Sequence, residues 1–550
     1  MGGRWLTGHR PYLALALFCL VLYLPGLAAI PPLDRDEARF AQASAQMLES
    51  GDFIDIRFRD EPRHKKPAGI YWLQSASVAL LSGPEAREIW AYRVPSVLGA
   101  TLSVLLLFHL GIVMFDRRTA FLAAALLAGS VLLMLEAHQA KSDAALLATV
   151  LATQAALGRI YLGARGHNGL GRAGPRWAVL FWAGLGCGIL IKGPIAPMVA
   201  GLTAIALVLA DRDLRWLGGT RPFWGIPLML AVAVPWFAAI GIASDGAFFR
   251  EAVGHDMLGK IASAQESHGG PPGYHTLLVT ALSWPGSLFL WPALAEAVRR
   301  RTSPPVRFCL AWLVPAWIVF EATATKLPHY TLPLFPALAL LTAAAVLTAP
   351  ERMGRLWAKL PAGLWAAVGV VLAAAAIAAP IQWGGDFSLA SLVPAALALA
   401  AIGTGIRYLS TGRPATAATA GLVFGALALS GVFGLVLPQL DAFKLSQQTH
   451  DLIRSQTGTV ASANIATAGY REPSLVFLLG TDLVFADGPG AAAFLDGEPG
   501  RIAIVDDREN PGFLAAANDS RMKFSRVGEI AGLNYSRGRE AVLYVYRSLD

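Results

Sequence analysis

The sequence predicts an α-helical polytopic membrane protein, with about thirteen transmembrane helices and a small C-terminal α/β soluble domain. Three observations carry that expectation. Hydrophobic residues make up 55% of the 550 and charged residues only 15%, outside the range of soluble domains. Apolar segments of about 17 to 25 residues, the length that crosses ~30 Å of hydrocarbon, recur from residue 12 to about 437. Beyond residue 438, Asp, Glu, Asn and Gly return and the long apolar runs stop. The net charge of +8 comes from Lys and Arg scattered through the breaks, which argues against a nucleic-acid face. Cys19, Cys187 and Cys309 lie singly in apolar runs, without the spacing of a metal site or a disulfide framework.

The first apolar run, "PYLALALFCLVLYLPGLAAI" behind Arg4 and Arg10, has the look of a secretory signal but reads better as an uncleaved first span. Basic breaks then set the orientation. "FDRRTA" (115–120), "GRIYLGARGHNGLGRAGPR" (158–176), "DRDLRW" (211–216), "VRRRTSPPVR" (298–307), "ERMGRLWAK" (351–359) and "RYLSTGRP" (407–414) should all be cytoplasmic. Requiring this predicts spans at about 12–30, 88–114, 120–137, 143–162, 177–191, 194–210, 223–243, 276–297, 306–322, 329–348, 361–380, 388–406 and 415–437. The amino terminus is then inside and the carboxyl terminus outside. Counting "AGIYWLQSASVALLSG" (68–83) as a span would put "FDRRTA" outside, so it is expected to lie along the outer interface, where Tyr71 and Trp72 suit the headgroup level. Residues 1–437 form the membrane domain and 438–550 the soluble one, with β-like runs in "SLVFLL" (474–479), "RIAIVDD" (501–507) and "AVLYVYRS" (541–548).

With this topology the polar motifs collect on the outer face. They are "DRDEARFAQ" (34–42), "EPRHKKP" (61–67), "EAHQAKSDAA" (136–145), "IKGPIAP" (191–197), the loop 250–275 and "ATKLPHYTLP" (324–333). Each has an ordinary explanation: Asp36, Glu37 and Asp143 can cap helices, Lys192 and Lys326 can snorkel, and Tyr330 can anchor at the interface. Together they suit transfer from a phosphate-linked lipid. Carboxylates can orient or deprotonate an acceptor. Lys66, Lys192 and Lys326 can neutralise a phosphate leaving group, which Tyr330 would also hold by a hydrogen bond.

"DRDEARFAQASAQMLESGDF", "KKPAGIYWLQ", "LIKGP" and "KLPHYTLPLFPALALL", in this order over about 12–348, resemble the protein O-mannosyltransferase-like branch of the GT-C glycosyltransferases, and within it the bacterial aminoarabinose transferases of lipid A. The resemblance implies a GT-C fold whose first outer loop (31–87) forms two juxtamembrane helices. It also implies an inverting transfer of a sugar from undecaprenyl phosphate, on the periplasmic face of the bacterial inner membrane, to lipid A or a related envelope acceptor. Protein Ser/Thr or an outer glycan is the alternative acceptor, and a lipid-linked sugar transporter a more distant rival. By resemblance Asp36, Glu37 and Asp143 are the catalytic carboxylates, Arg39, Lys66 and Tyr330 belong to the donor site, and His268 is a metal ligand. Lys65 stands where the family has Glu, so a Glu/His metal site would lose one ligand; no cofactor is assigned and a divalent metal stays open.

Overall fold

The computed structural model describes residues 6–252, 254, 270–353 and 359–549. The first helix, α1 (Arg10–Tyr23), stops ahead of Pro25, and Pro31 and Pro32 keep the chain extended until α2 (Asp36–Ser50) begins. Gly51, at φ 70°, ends α2 in the left-handed conformation that glycine adopts freely. A short hairpin, β1 (Arg57–Phe58) with β2 (Glu61–Pro62), leads into α3 (Gly69–Leu81). Helices α2 and α3 lie side by side, with Phe40 and Tyr71 stacked at 5.3 Å and the Ser44 hydroxyl donating to Gln74 at 2.7 Å.

The membrane region continues through α4 (Ile89–Met114), α5 (Arg117–Ala128), α6 (Val131–Ala137), α7 (Asp143–Ala164), α8 (Pro175–Lys192), α9 (Ile195–Asp211) and α10 (Pro222–Ala243). The later helices are Tyr274–Leu282, Leu290–Arg299, Pro304–Ala322, Phe335–Thr348, Lys359–Trp383, Leu392–Ser410 and Pro414–Gly431. Among the described residues, eight helices are long and apolar enough to cross a membrane, or nine if α5 and α6, bent by 60°, count as one span. This is a multi-span membrane protein. Each of the thirteen expected spans falls on helical chain, but not all are single helices of spanning length. Helix α1 has 14 residues and α9 17, and the expected span 276–297 is divided around Pro285, which has no N–H to continue a helix.

The C-terminal residues build a five-stranded sheet in the order β4 (Val484–Ala486), β3 (Ile465–Ala468), β5 (Ile502–Asp506), β7 (Arg539–Ser548), β6 (Phe524–Asn534). Strand β3 runs parallel to β4 and β5, while β7 is antiparallel to both β5 and β6. Ile504, Val505, Leu543 and Val545 are fully buried in its core. "RIAIVDD" and "AVLYVYRS" are strands, but "SLVFLL" corrects the expectation: Pro473–Leu479 is a helix. Its neighbours in sequence explain why. Parallel strands β3 and β4 need a crossover, and Pro473, at the first helical position, starts it. This crossover helix packs against the membrane region, with the Phe477 ring edge-on to Tyr92 at 5.1 Å.

Candidate active site

Seven pieces of chain converge at one end of the helix bundle: the start of α2, the stretch 63–66, the link between α6 and α7, the end of α8, the segment 323–330, and two stretches of the C-terminal domain, 471–473 and 536–537. Between them lies a polar cavity of about 590 Å³. An apolar cavity of about 550 Å³ adjoins it, lined by Phe237, Phe248, Phe249 and Phe320 among others. The two share Lys65, Lys66, Asp143, Lys192, Thr325, His329 and Tyr330 as common walls.

The first turn of α2 carries two carboxylates with different surroundings. Glu37 is 1% exposed and pairs through both oxygens with the fully buried Arg93, at 2.8 and 2.9 Å. The backbone N–H groups of Leu33 and Ala140 also donate to it, at 2.9 and 2.7 Å. Arg93 in turn donates to the carbonyls of Leu27 and Ile30, both at 2.7 Å, and of Pro31 at 3.0 Å. One buried ion pair thus binds the chain ahead of α2, the α6–α7 link and α4 together. Glu37, expected among the catalytic carboxylates, borders the polar cavity with both its oxygens engaged in this brace. Arg93 was not singled out in the sequence, although an arginine within the apolar run "IWAYRVPSVLGA" is costly enough to be a signal.

Asp36 is exposed and opens onto the same polar cavity that Glu37 borders. Burial by the surrounding protein would push its carboxyl up, but the charges of Lys141 and Arg63 outweigh that and hold it below the usual carboxylate range. Lys141 also lies close to Glu136, at 3.2 Å; burial would lower its ammonium, yet Glu136, Asp143 and Asp36 raise it above its ordinary value. Asp36 is thus an ionised carboxylate in a cationic cavity at neutral pH.

Asp143, at the first position of α7, accepts from Lys192 Nζ at 2.6 Å. The same ammonium lies 6.0 Å from the centre of the Tyr330 ring. Gly69 brings α3 against α8: a Cβ there would sit 2.7 Å from the Leu190 carbonyl oxygen. That close approach carries the "KKP" turn to Lys192, so Lys66, Lys192 and Tyr330 share the border of the two cavities. Arg39 lines the polar cavity, whereas Lys326 lines neither and spends its ammonium on the Thr323 carbonyl at 2.7 Å. Lys326, expected to bind phosphate, thus sits beside the cavities, and the next turn of chain, with His329 and Tyr330, lines them. His268 lies outside the described residues, and among the described residues no group of three or more His, Cys, Asp or Glu is placed to hold a metal ion. His64 pairs with Asp55 at 3.2 Å and Glu251 at 3.4 Å through opposite ring nitrogens, a bridge rather than a common ligand point.

The sequence gives no motif for the roof of the polar cavity, which is built by Arg471, Glu472, Pro473, Ser536 and Arg537 of the C-terminal domain. Asp34 touches this domain directly. It accepts from the Ser474 N–H at 3.0 Å, and its own N–H donates to the Tyr535 hydroxyl. Burial pushes its carboxyl up to about 6 despite the Ser474 hydrogen bonds. Arg35, between Asp34 and Asp36, has φ 69° and ψ −112°, a conformation that costs an L-residue about 1–3 kcal/mol.

Comparison with known proteins places this architecture. Residues 65–238 match the family described as dolichyl-phosphate-mannose-protein mannosyltransferase. Over the full length, the fold superimposes on ArnT from Cupriavidus metallidurans bound to undecaprenyl phosphate, with a TM-score of 0.73, 21% identity and 97% of each chain covered. The chain has the fold of this ArnT. A more distant likeness, TM-score 0.51 and 14% identity over 94% of this chain and 68% of the other, is to the oligosaccharyltransferase of Archaeoglobus fulgidus. Curated relatives named undecaprenyl phosphate-alpha-4-amino-4-deoxy-L-arabinose arabinosyl transferase are 30% identical in both Pseudomonas paraeruginosa and Pectobacterium carotovorum, over 58% and 60% of this chain. The match spans 58% of the length of each relative. In this ArnT-like fold the matched family segment begins at Lys65 and takes in Lys66, Asp143 and Lys192, the residues that join the two cavities.

Proposed function

We propose that the chain is an inverting membrane glycosyltransferase that moves a sugar from a polyprenyl phosphate to lipid A or a related envelope acceptor. The observation that carries this reading is the shared wall of the two cavities. A ligand with a long apolar tail and a charged head fits the pair, its phosphate at the border beside Lys66, Lys192 and Tyr330. The names of the curated relatives and the undecaprenyl phosphate in the similar structure support the same donor class.

The acceptor oxygen attacks the anomeric carbon as the bond from that carbon to the phosphate oxygen breaks. The departing phosphate passes from one negative charge to two, and the nearby ammonium groups lower the energy of that added charge. Asp143 holds Lys192 in place for this. Asp36 orients the acceptor, and takes its proton where the acceptor is a hydroxyl. Nine Lys and Arg line the polar cavity against five Asp and Glu, which favours an anionic acceptor such as a lipid phosphate over a neutral Ser or Thr hydroxyl. The donor site and the C-terminal domain face the periplasm of a bacterial inner membrane, and the amino terminus the cytoplasm. This assignment rests on the basic breaks between spans.

The test is transfer by the purified full chain in lipid vesicles, supplied with radiolabelled undecaprenyl-phosphate aminoarabinose and either lipid A or a Ser/Thr-rich peptide. Label in lipid A is the expected result. Label in the peptide alone would overturn the acceptor, and failure to bind undecaprenyl phosphate would overturn the donor.

A further inference from the structure

Two of the places where the C-terminal domain meets the membrane region differ in character. At one, Arg87 reaches the carbonyl of Phe477 at 2.7 Å and Gln42 at 2.8 Å, along the side of α2. At the other, three hydrogen bonds fall on the two residues that precede Asp36. Tyr535 takes the Asp34 N–H, the Ser474 N–H binds the Asp34 carboxylate at 3.0 Å, and the Arg35 guanidinium binds the Ser536 carbonyl at 2.8 Å. Tyr535 and Ser536 belong to the turn between β6 and β7, and Ser474 to the crossover helix. The turn is backed from below: Tyr535 packs edge-on to Phe443 at 5.8 Å, and Phe443 against Trp383 at 5.4 Å.

The residue caught in this clasp is in a disfavoured conformation. Arg35 at φ 69° has no glycine's freedom, and α2 touches it only through its carbonyl, which accepts from the Arg39 N–H at 3.4 Å. On its other side Glu37 is fixed by Arg93 and by the Leu33 N–H. The chain is thus pinned before and after one strained residue, and the next residue is Asp36. We infer that the Tyr535–Asp34–Ser474 clasp is a positioning device for Asp36, so that the C-terminal domain is part of the active site and not an appendage. Docking alone does not require these contacts to converge on residues 34 and 35. Strained backbone that persists beside a reacting carboxylate is held for its geometry.

The inference rests on the proposed transferase activity for its kinetic consequence but not for its structural one. Four variants of the full chain separate the two: Tyr535→Phe, Asp34→Ala, Asp34→Asn and Arg87→Ala. Tyr535→Phe removes the acceptor for the Asp34 N–H. Asp34→Ala removes the acceptor for Ser474, while Asp34→Asn keeps an oxygen there. In hydrogen–deuterium exchange, which needs no substrate, peptide 33–40 should lose protection in Tyr535→Phe and Asp34→Ala and keep it in Asp34→Asn and Arg87→Ala. In transfer assays the first two should lower kcat roughly 10- to 100-fold, the effect of misplacing a reacting group, with the donor KM changed by less than about 2-fold. Asp34→Asn should restore most of kcat. Unchanged exchange in Tyr535→Phe would overturn the clasp whatever the substrate. Loosened exchange with unchanged kcat, or an equal loss of kcat in Arg87→Ala, would overturn its positioning role. A wild-type chain without transfer would instead count against the proposed function, leaving the exchange result to decide the clasp.

Discussion

Asp36 and Glu37 are adjacent and share a chemistry, yet the fold gives them separate tasks. Glu37 accepts four hydrogen bonds, two of them from Arg93, and its removal leaves a buried guanidinium unpaired. Breaking such a pair costs about 3–5 kcal/mol. Asp36 faces an open cavity in which cations hold it ionised. Glu37→Ala should therefore unfold at markedly lower temperature in detergent, whereas Asp36→Asn should keep its thermal midpoint and lose transfer. The pH dependence follows from the direction of the shift. A carboxyl whose folded pKa is depressed stays charged until the pH falls through that lowered value, so the acid limb of activity due to Asp36 should lie below the ordinary value of about 3.9. An Asp36→Asn chain with normal turnover would remove Asp36 from the chemistry. The distinction was not legible from "DRDEARFAQ" itself, because the residue that separates the two, Arg93, sits in another helix 56 positions away.

At the scale of elements, the border of the two cavities depends on how closely α3 can approach α8. Gly69 sets that distance, since an added Cβ would meet the Leu190 carbonyl oxygen at 2.7 Å and its carbon at 2.9 Å. Backbone cannot give way as a flexible side chain can, and overpacking of this kind costs about 1–3 kcal/mol. In Gly69→Ala the two helices must separate, carrying Lys66 away from Lys192. Binding of undecaprenyl phosphate should weaken by roughly 10-fold, on the scale of ~1.4 kcal/mol per decade, in a calorimetric titration. Affinity equal to wild type would show that the approach of α3 does not set the phosphate site. Elements of this kind were largely visible in the sequence: the motif "KKPAGIYWLQ" predicts α3, and apolar length predicts most of the helices. "SLVFLL" failed because a short apolar run has no period of its own to distinguish strand from helix. What decided it was the parallel pairing of β3 with β4, a tertiary fact.

For the whole molecule, the sequence shows that the charged motifs gather on one face but not what closes that face. Asp34 meets Ser474 across 440 positions of chain, and no local pattern announces a contact of that span. The basic breaks between spans set the orientation, by contrast, within the sequence itself. If 68–83 lies along the outer surface and does not cross, then the turn after α3 is on the same side as the cavity. Ala86 sits in that turn, at the end of a short helical segment Pro84–Ala86, and is exposed. Cys19 and Cys309 are buried, so replacing the exposed Cys187 with Ala leaves a background without accessible thiols. In that background Ala86→Cys should react in intact cells with a membrane-impermeant maleimide, to the same extent as after lysis. Reaction only after lysis would put the turn in the cytoplasm and overturn the placement of 68–83 along the outer surface.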